Sequence, residues 1–140
     1  MDLEEIRVYL QTAYDHLELA KHTYQIGRYD DTVLHCSYAA ENASSALLLQ
    51  SEIKPSKKHE NWYALQKYYR PTIVERKEGI QRIPNFLREC VPHLKERTRH
   101  PPILEGRWVT PKAYYTKAVA DRFLEETEFA IKAIEEMTSK

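Results

Sequence analysis

Tyr38-Ala39-Ala40-Glu41-Asn42-Ala43, inside an alanine- and serine-rich run from Cys36 to Leu49, is the stretch that decides the fold. Side chains this small keep a helix slim, so other helices can pack against more than one of its sides. Apolar and small residues lie nearly all round this segment, which marks it as the central helix of a bundle. Glu41 is the acidic exception within it and needs a partner. Arg97 and Arg99 are candidates for that partner, in a pairing that would serve structure or catalysis equally.

Working outward, Leu3, Ile6, Leu10, Ala13, Leu17, Ala20 and Tyr24 recur at alternating gaps of three and four. That rhythm is one apolar stripe on a long first helix. Asp2 and Glu5 read as its capping box, and Gly27 as its end. Asp30 or Asp31 then caps the second helix, which runs to about Gln50, with Pro55-Ser56 closing the connection. A third helix is expected from about Lys57 to Tyr69, carrying Trp62, Leu65 and Tyr69 and stopping before Pro71. Thr72 and Glu75 suit one short turn closed by Gly79. Pro84 fits the first turn of a fourth helix with Leu87, Val91 and Leu94 inward, ended by Pro101-Pro102. An irregular loop follows. Thr110-Pro111 then starts a final helix whose inward set is Ala120, Phe123, Thr127, Ala130, Ile134 and Met137. No strand pattern competes with these periods. The expected fold is all-α, an up-and-down bundle of about five helices, with residues 1–140 as a single domain.

Composition sets the class. A chain of 140 residues with 30% charged residues and only three glycines is large enough to bury a core without disulfides or metal. No run of about 18 apolar residues is present, so no membrane span is expected. The acidic start Asp2-Leu3-Glu4-Glu5 is unlike a secretory signal, and Cys36 and Cys90 read as free buried thiols, so the expected location is cytoplasmic. Net charge is zero, yet residues 1–56 hold four Lys/Arg against nine Asp/Glu while residues 57–99 hold eleven against five. Such asymmetry fits a phosphate-binding surface, or basic and acidic helices lying side by side.

Several motifs in a fixed order resemble HEPN domains (higher eukaryotes and prokaryotes nucleotide-binding). Ala13 with His16-Leu17-Glu18-Leu19-Ala20, then Gly27-Arg28-Tyr29, is similar to the first helical hairpin of that family. Ala39-Ala40-Glu41-Asn42-Ala43-Ser44-Ser45-Ala46-Leu47 keeps the frame of its second helix but lacks the two lysines common there. Lys58-His59-Glu60-Asn61-Trp62 resembles the His-Asp-Leu start of its third helix, and Thr98-Arg99-His100-Pro101 its Ala-Arg-Tyr-Pro motif. Gly27-Arg28-Tyr29-Asp30-Asp31 also resembles one tetratricopeptide unit, but no second copy follows at the required period.

The resemblance implies nucleotide or nucleic-acid binding, a homodimer, and a small nucleotidyltransferase as partner in a toxin–antitoxin-like module. It implies no cofactor. It leaves two alternatives: a metal-independent endoribonuclease, or a non-catalytic scaffold for another protein. In the family's ribonucleases an Arg steadies charge on the phosphate while a His, four to six residues later, moves a proton. Arg88 and His93 satisfy that spacing, although residues five apart on a straight helix point about 140° apart, and Pro92 lies between them. Arg99 occupies the register of the family's catalytic Arg, with no His at the required distance after it.

His93, Arg97 and His100 are spaced four and three, which puts them on one helix face beside Arg99. Together with Glu41 they are the candidate ligand-binding residues. Cations in a last helical turn also have a purely structural reason, since the macrodipole favours them. Tyr68, Tyr69, Tyr114 and Tyr115 suit base stacking or a core edge. No zinc-type spacing is present. His93 and His100 are about 10 Å apart along a helix, and His16 and His22 fall on different faces.

Overall fold

The computed structural model describes residues 2–68, 77–97 and 100–138, with side chains described for all of these except 77–80, 96 and 97. Helix α1 spans Leu3–Gln25. Asp2 starts it by accepting from the amides of Glu4 and Glu5 at 3.0 and 3.1 Å, which satisfies two of the free donors at a helix N-terminus. Gly27 ends it at φ +77°. The Gly27 amide donates to the Tyr24 carbonyl and the Arg28 amide to the Thr23 carbonyl, at 3.1 and 2.9 Å, the paired bonds of a Schellman end. Ile6, Ala13, Leu17 and Ala20 form its buried stripe.

Helix α2 spans Tyr29–Gln50 and packs against α1 and four later α-helices. Ala39, Ala40, Ala43 and Ala46 are fully enclosed, as expected of a slim central helix. Its start differs from expectation. Arg28 occupies the cap position, and Asp30 and Asp31 lie inside the first turn, where Arg28 meets both carboxylates at 3.3 and 3.5 Å. The Schellman end of α1 fixes Arg28 one residue after Gly27, so α2 begins before either aspartate can cap it.

Helix α3 spans Asn61–Tyr68 and α4 spans Lys77–Pro92. The segment expected to form a turn near Thr72 and Glu75 lies outside the described residues. Gly79 and Pro84 lie within α4, so Pro84 does not begin the helix. The apolar face of Ile83, Phe86, Leu87 and Cys90, all buried, holds α4 on the bundle around that proline. Beyond Pro92 the chain widens into a π-helical turn over His93–Arg97.

The connection expected to be irregular contains a small hairpin. Strand β1 (Ile103–Leu104) pairs antiparallel with β2 (Arg107–Trp108), with Ile103 opposite Trp108. Glu105 and Gly106 join them at φ +51° and +77°, the double left-handed pair of a type I′ turn. The start signal at Thr110-Pro111 does not open the final helix: Thr110 caps a separate four-residue helix α5 (Pro111–Tyr114), the backbone turns extended at Tyr115, and the final helix α6 spans Lys117–Thr138. Every residue expected inward on α6 is buried, except Met137, which is half-buried. Phe86 meets Phe123 edge-on at 5.1 Å in the core. Tyr14 donates to Glu135 at 2.7 Å and Tyr24 to Asp121, tying α1 to α6. No described helix is long and apolar enough to cross a membrane.

Candidate functional site

The Ser51–Glu60 connection folds back onto the C-terminal half of α2, and a polar network holds it there. Asn61, only 2% exposed, is the hub. Its amide donates to Ser44 Oγ at 2.9 Å and to Ser45 Oγ at 3.0 Å, with the Glu41 carbonyl at 3.4 Å. Its side-chain oxygen accepts from the Ser56 amide at 2.8 Å. Ser56 Oγ in turn accepts from the Lys58 and Glu60 amides at 3.0 and 3.2 Å. This hydroxyl supports the approach to α3 as an N-cap would.

The same fold-back swings His59 onto Glu41. The His59 backbone is left-handed at φ +61°, and its Nδ1 lies 2.8 Å from both Glu41 carboxylate oxygens. Burial raises the Glu41 pKa above the usual carboxylate value, and the His59 contact opposes that rise. Left-handed backbone at a non-glycine residue costs free energy and persists where the surroundings enforce it. Here the Ser56 and Asn61 bonds do so.

Above this pair opens a groove of about 730 Å³, within the size range of small-ligand sites. Glu5 and Tyr9 of α1 line it on one side, and Asn42 and Ser45 of α2 contribute to it. Lys54 and Lys57 come from the connection. The mixture offers cations for one anionic group, carboxylates and amides for hydroxyl or amino donors, and an aromatic ring for a planar one.

Of the residues singled out in the sequence, Glu41 lies in this groove. Arg88 and His93 are not brought together. Arg88 is exposed, its guanidinium 5.0 Å from the Trp62 ring centre. His93 is only 8% exposed, its Nδ1 2.7 Å from the Tyr115 hydroxyl and its ring edge-on to Phe123 at 5.2 Å. His93 is therefore turned into the core and not onto the solvent face where His100 lies. The π-helical turn changes the register after Pro92, and regular helix has ended before His100, which is exposed in a bend. The side chain of Arg97 and the whole of Arg99 lie outside the described residues. Of the four tyrosines, Tyr115 is buried, Tyr114 half-buried and Tyr68 exposed, while Tyr69 is outside them. Sequence reasoning missed His59 and Asn61 as the polar partners of α2, although both belong to the Lys58–Trp62 motif.

A second polar cluster joins α1 and α2. His16 and His35 face each other Nδ1 to Nδ1 at 3.1 Å, and Tyr38 stacks on His16 with ring centres 5.2 Å apart. Burial lowers the pKa of both imidazoles below the usual value. Among the described residues no three His, Cys, Asp or Glu side chains are grouped as metal ligands.

The HEPN domain profile matches residues 6–137 of the chain. Among solved structures, TT1696 from Thermus thermophilus has the same fold, with a TM-score of 0.70 at 21% identity over 94% of this chain and 96% of that one. No curated protein sequence matches the chain.

Proposed function

Because the chain belongs to the HEPN domain family, we propose that it acts as a nucleotide-binding member whose ligand occupies the groove over Glu41 and His59. The groove carries this reading. Lys54 and Lys57 offer charge-assisted hydrogen bonds to a phosphate, Tyr9 a ring to stack on, and Asn42 and Ser45 polar groups for base or sugar. Asp2, Glu5, Glu41 and Glu52 line the same groove and disfavour a long polyphosphate, so within this reading the ligand is a nucleoside carrying one phosphate, held by the two lysines.

Pairing with a second copy and with a small nucleotidyltransferase, in a toxin–antitoxin-like module, belongs to the same proposal. The hairpin supports protein association of this kind, since it exposes Ile103, Leu104 and Trp108, the last at 74%. A cytoplasmic setting agrees with the free buried thiols of Cys36 and Cys90.

The ribonuclease alternative requires an Arg and a His that converge on one phosphate. The opposite surroundings of Arg88 and His93 argue against that pair as the dyad, and a pairing of Arg99 with His93 or His100 is the form of this alternative that the assay below tests. Two assays separate these readings. Calorimetric titration with AMP should give saturable binding that weakens at least tenfold in Lys57→Ala. Incubation with mixed RNA in EDTA should give no cleavage, and cleavage lost in His93→Ala or Arg99→Ala would establish the enzyme instead.

A further inference from the structure

His16 and His35 stand on two different helices, yet their Nδ1 atoms approach to 3.1 Å. Two imidazole nitrogens bound to one ion at 2.0–2.1 Å are separated by about 2.9 Å at a right angle and about 3.4 Å at the tetrahedral angle. The observed spacing falls inside that interval before any ion enters. We propose that His16 and His35 are a two-imidazole chelate for a borderline divalent transition-metal ion, of the Zn²⁺, Ni²⁺ or Cu²⁺ class, clasping α1 to α2.

Three further observations support the assignment. Each histidine is carried mid-helix on a packed element, α1 for His16 and α2 for His35, so a chelate here needs little ordering of the backbone. The rings lie at 27° to one another, and Tyr38 stacks on His16 as well, which keeps the two Nδ1 atoms adjacent. Both rings are half-buried rather than enclosed, so an ion has a path from solvent. Asp15 and Asp31 are the charged groups acting on this pair, and their carboxylates favour a cation.

Without metal, the 3.1 Å contact is satisfied by one proton held between the two nitrogens. Metal entry requires only that this proton leave Nδ1 for Nε2 of the same neutral ring, with no net change in protonation. The two Nδ1 atoms face one another across the contact, so a tilt of each ring then aims both lone pairs at one ion. Imidazole donors select Zn²⁺, Ni²⁺ or Cu²⁺ over Mg²⁺ or Ca²⁺, which prefer oxygen. Two protein ligands leave the remaining positions to water or an incoming donor, so the ion is exchangeable.

The test is thermal unfolding of chelator-stripped full-length protein with ZnCl₂, NiCl₂ or MgCl₂, beside His16→Gln and His35→Gln. A ligand bound only by the folded state raises Tm with its concentration. The expected result is a rise with Zn²⁺ and Ni²⁺, none with Mg²⁺, one ion per chain, and loss of the rise in each variant. No rise, or a rise retained in both variants, would overturn the proposal. Should either variant fail to fold by circular dichroism, Cu²⁺ paramagnetic resonance of the wild type decides. Coupling to two equivalent nitrogens upholds the chelate, and its absence refutes it.

Discussion

Glu41 on α2 and His59 at the approach to α3 are separated by eighteen residues of sequence, yet both oxygens of the carboxylate lie 2.8 Å from one imidazole nitrogen. This contact joins the two motifs that mark the chain, the alanine-rich Tyr38–Ala43 and Lys58–Trp62. It explains why an acidic residue is kept in a helix otherwise made of small side chains. It also places the connection so that Lys54 and Lys57 border a groove rather than open solvent.

The pH dependence of this pair has a definite sign. The folded-state pKa of Glu41 is raised, chiefly by burial, above its ordinary 4.5. The folded protein therefore holds this proton more tightly than the unfolded chain does. The associated stability is fully present below the unfolded value and is lost as pH rises through the folded one. Glu41→Gln has no such titration. Urea unfolding at steps from pH 4 to 7 should show the wild type losing ground to Glu41→Gln as pH climbs past 4.5, then levelling once Glu41 is ionised. Parallel curves would mean that burial does not govern this carboxyl.

Asn61→Ala should be among the most damaging polar substitutions. It removes donors to Ser44 and Ser45 and the acceptor of the Ser56 amide. A buried group left without its partner costs about 1–3 kcal/mol, and the expected loss is about 3 kcal/mol in urea unfolding. A loss below about 1 kcal/mol would show that the network does not hold the connection.

The two residues with ribonuclease spacing should behave differently as structural groups. Tyr115→Phe removes the hydroxyl that meets His93 at 2.7 Å and should cost about 1–2 kcal/mol. Arg88→Ala loses a cation–π contact with Trp62 at the surface and should cost about 1 kcal/mol or less. Equal, large costs would place Arg88 in the core network with His93.

Thiol chemistry gives an independent check on the core. Burial pushes Cys36 up to about 12 and Cys90 also upward, so neither forms a reactive thiolate near neutral pH. A disulfide reagent at pH 8 should label no thiol in the native protein and both in denaturant. Rapid native labelling would mean that the contact of α2 with α4 and α6 opens readily.

Much of this bundle was legible in the sequence because its signals are local. The three-four stripes of α1 and α6, the Asp2 cap, Gly27 and Thr110-Pro111 each depend on neighbours within a few residues. What was missed depended on distant contacts or on signals with two meanings. Pro84 suits a first helical turn, and only the packing of Ile83, Phe86 and Leu87 keeps it inside α4. Glu105-Gly106 is a weak hairpin signal beside Asn-Gly or Asp-Gly, so strands of two residues escaped notice. Formal charge pointed Glu41 toward arginine, whereas its described partner is His59. His16 and His35 meet through the packing of α1 on α2, which spacing along one helix does not reveal.

The most direct test of the central claim is a nitrogen–proton correlation spectrum of the labelled full-length protein during titration with AMP. Occupation of the groove should shift the amides of Tyr9, Asn42, Ser45, Lys57 and His59 together, along one saturating curve. Shifts confined to the Ile103–Trp108 hairpin or to α4, or no saturable shift at all, would contradict nucleotide binding over Glu41 and His59.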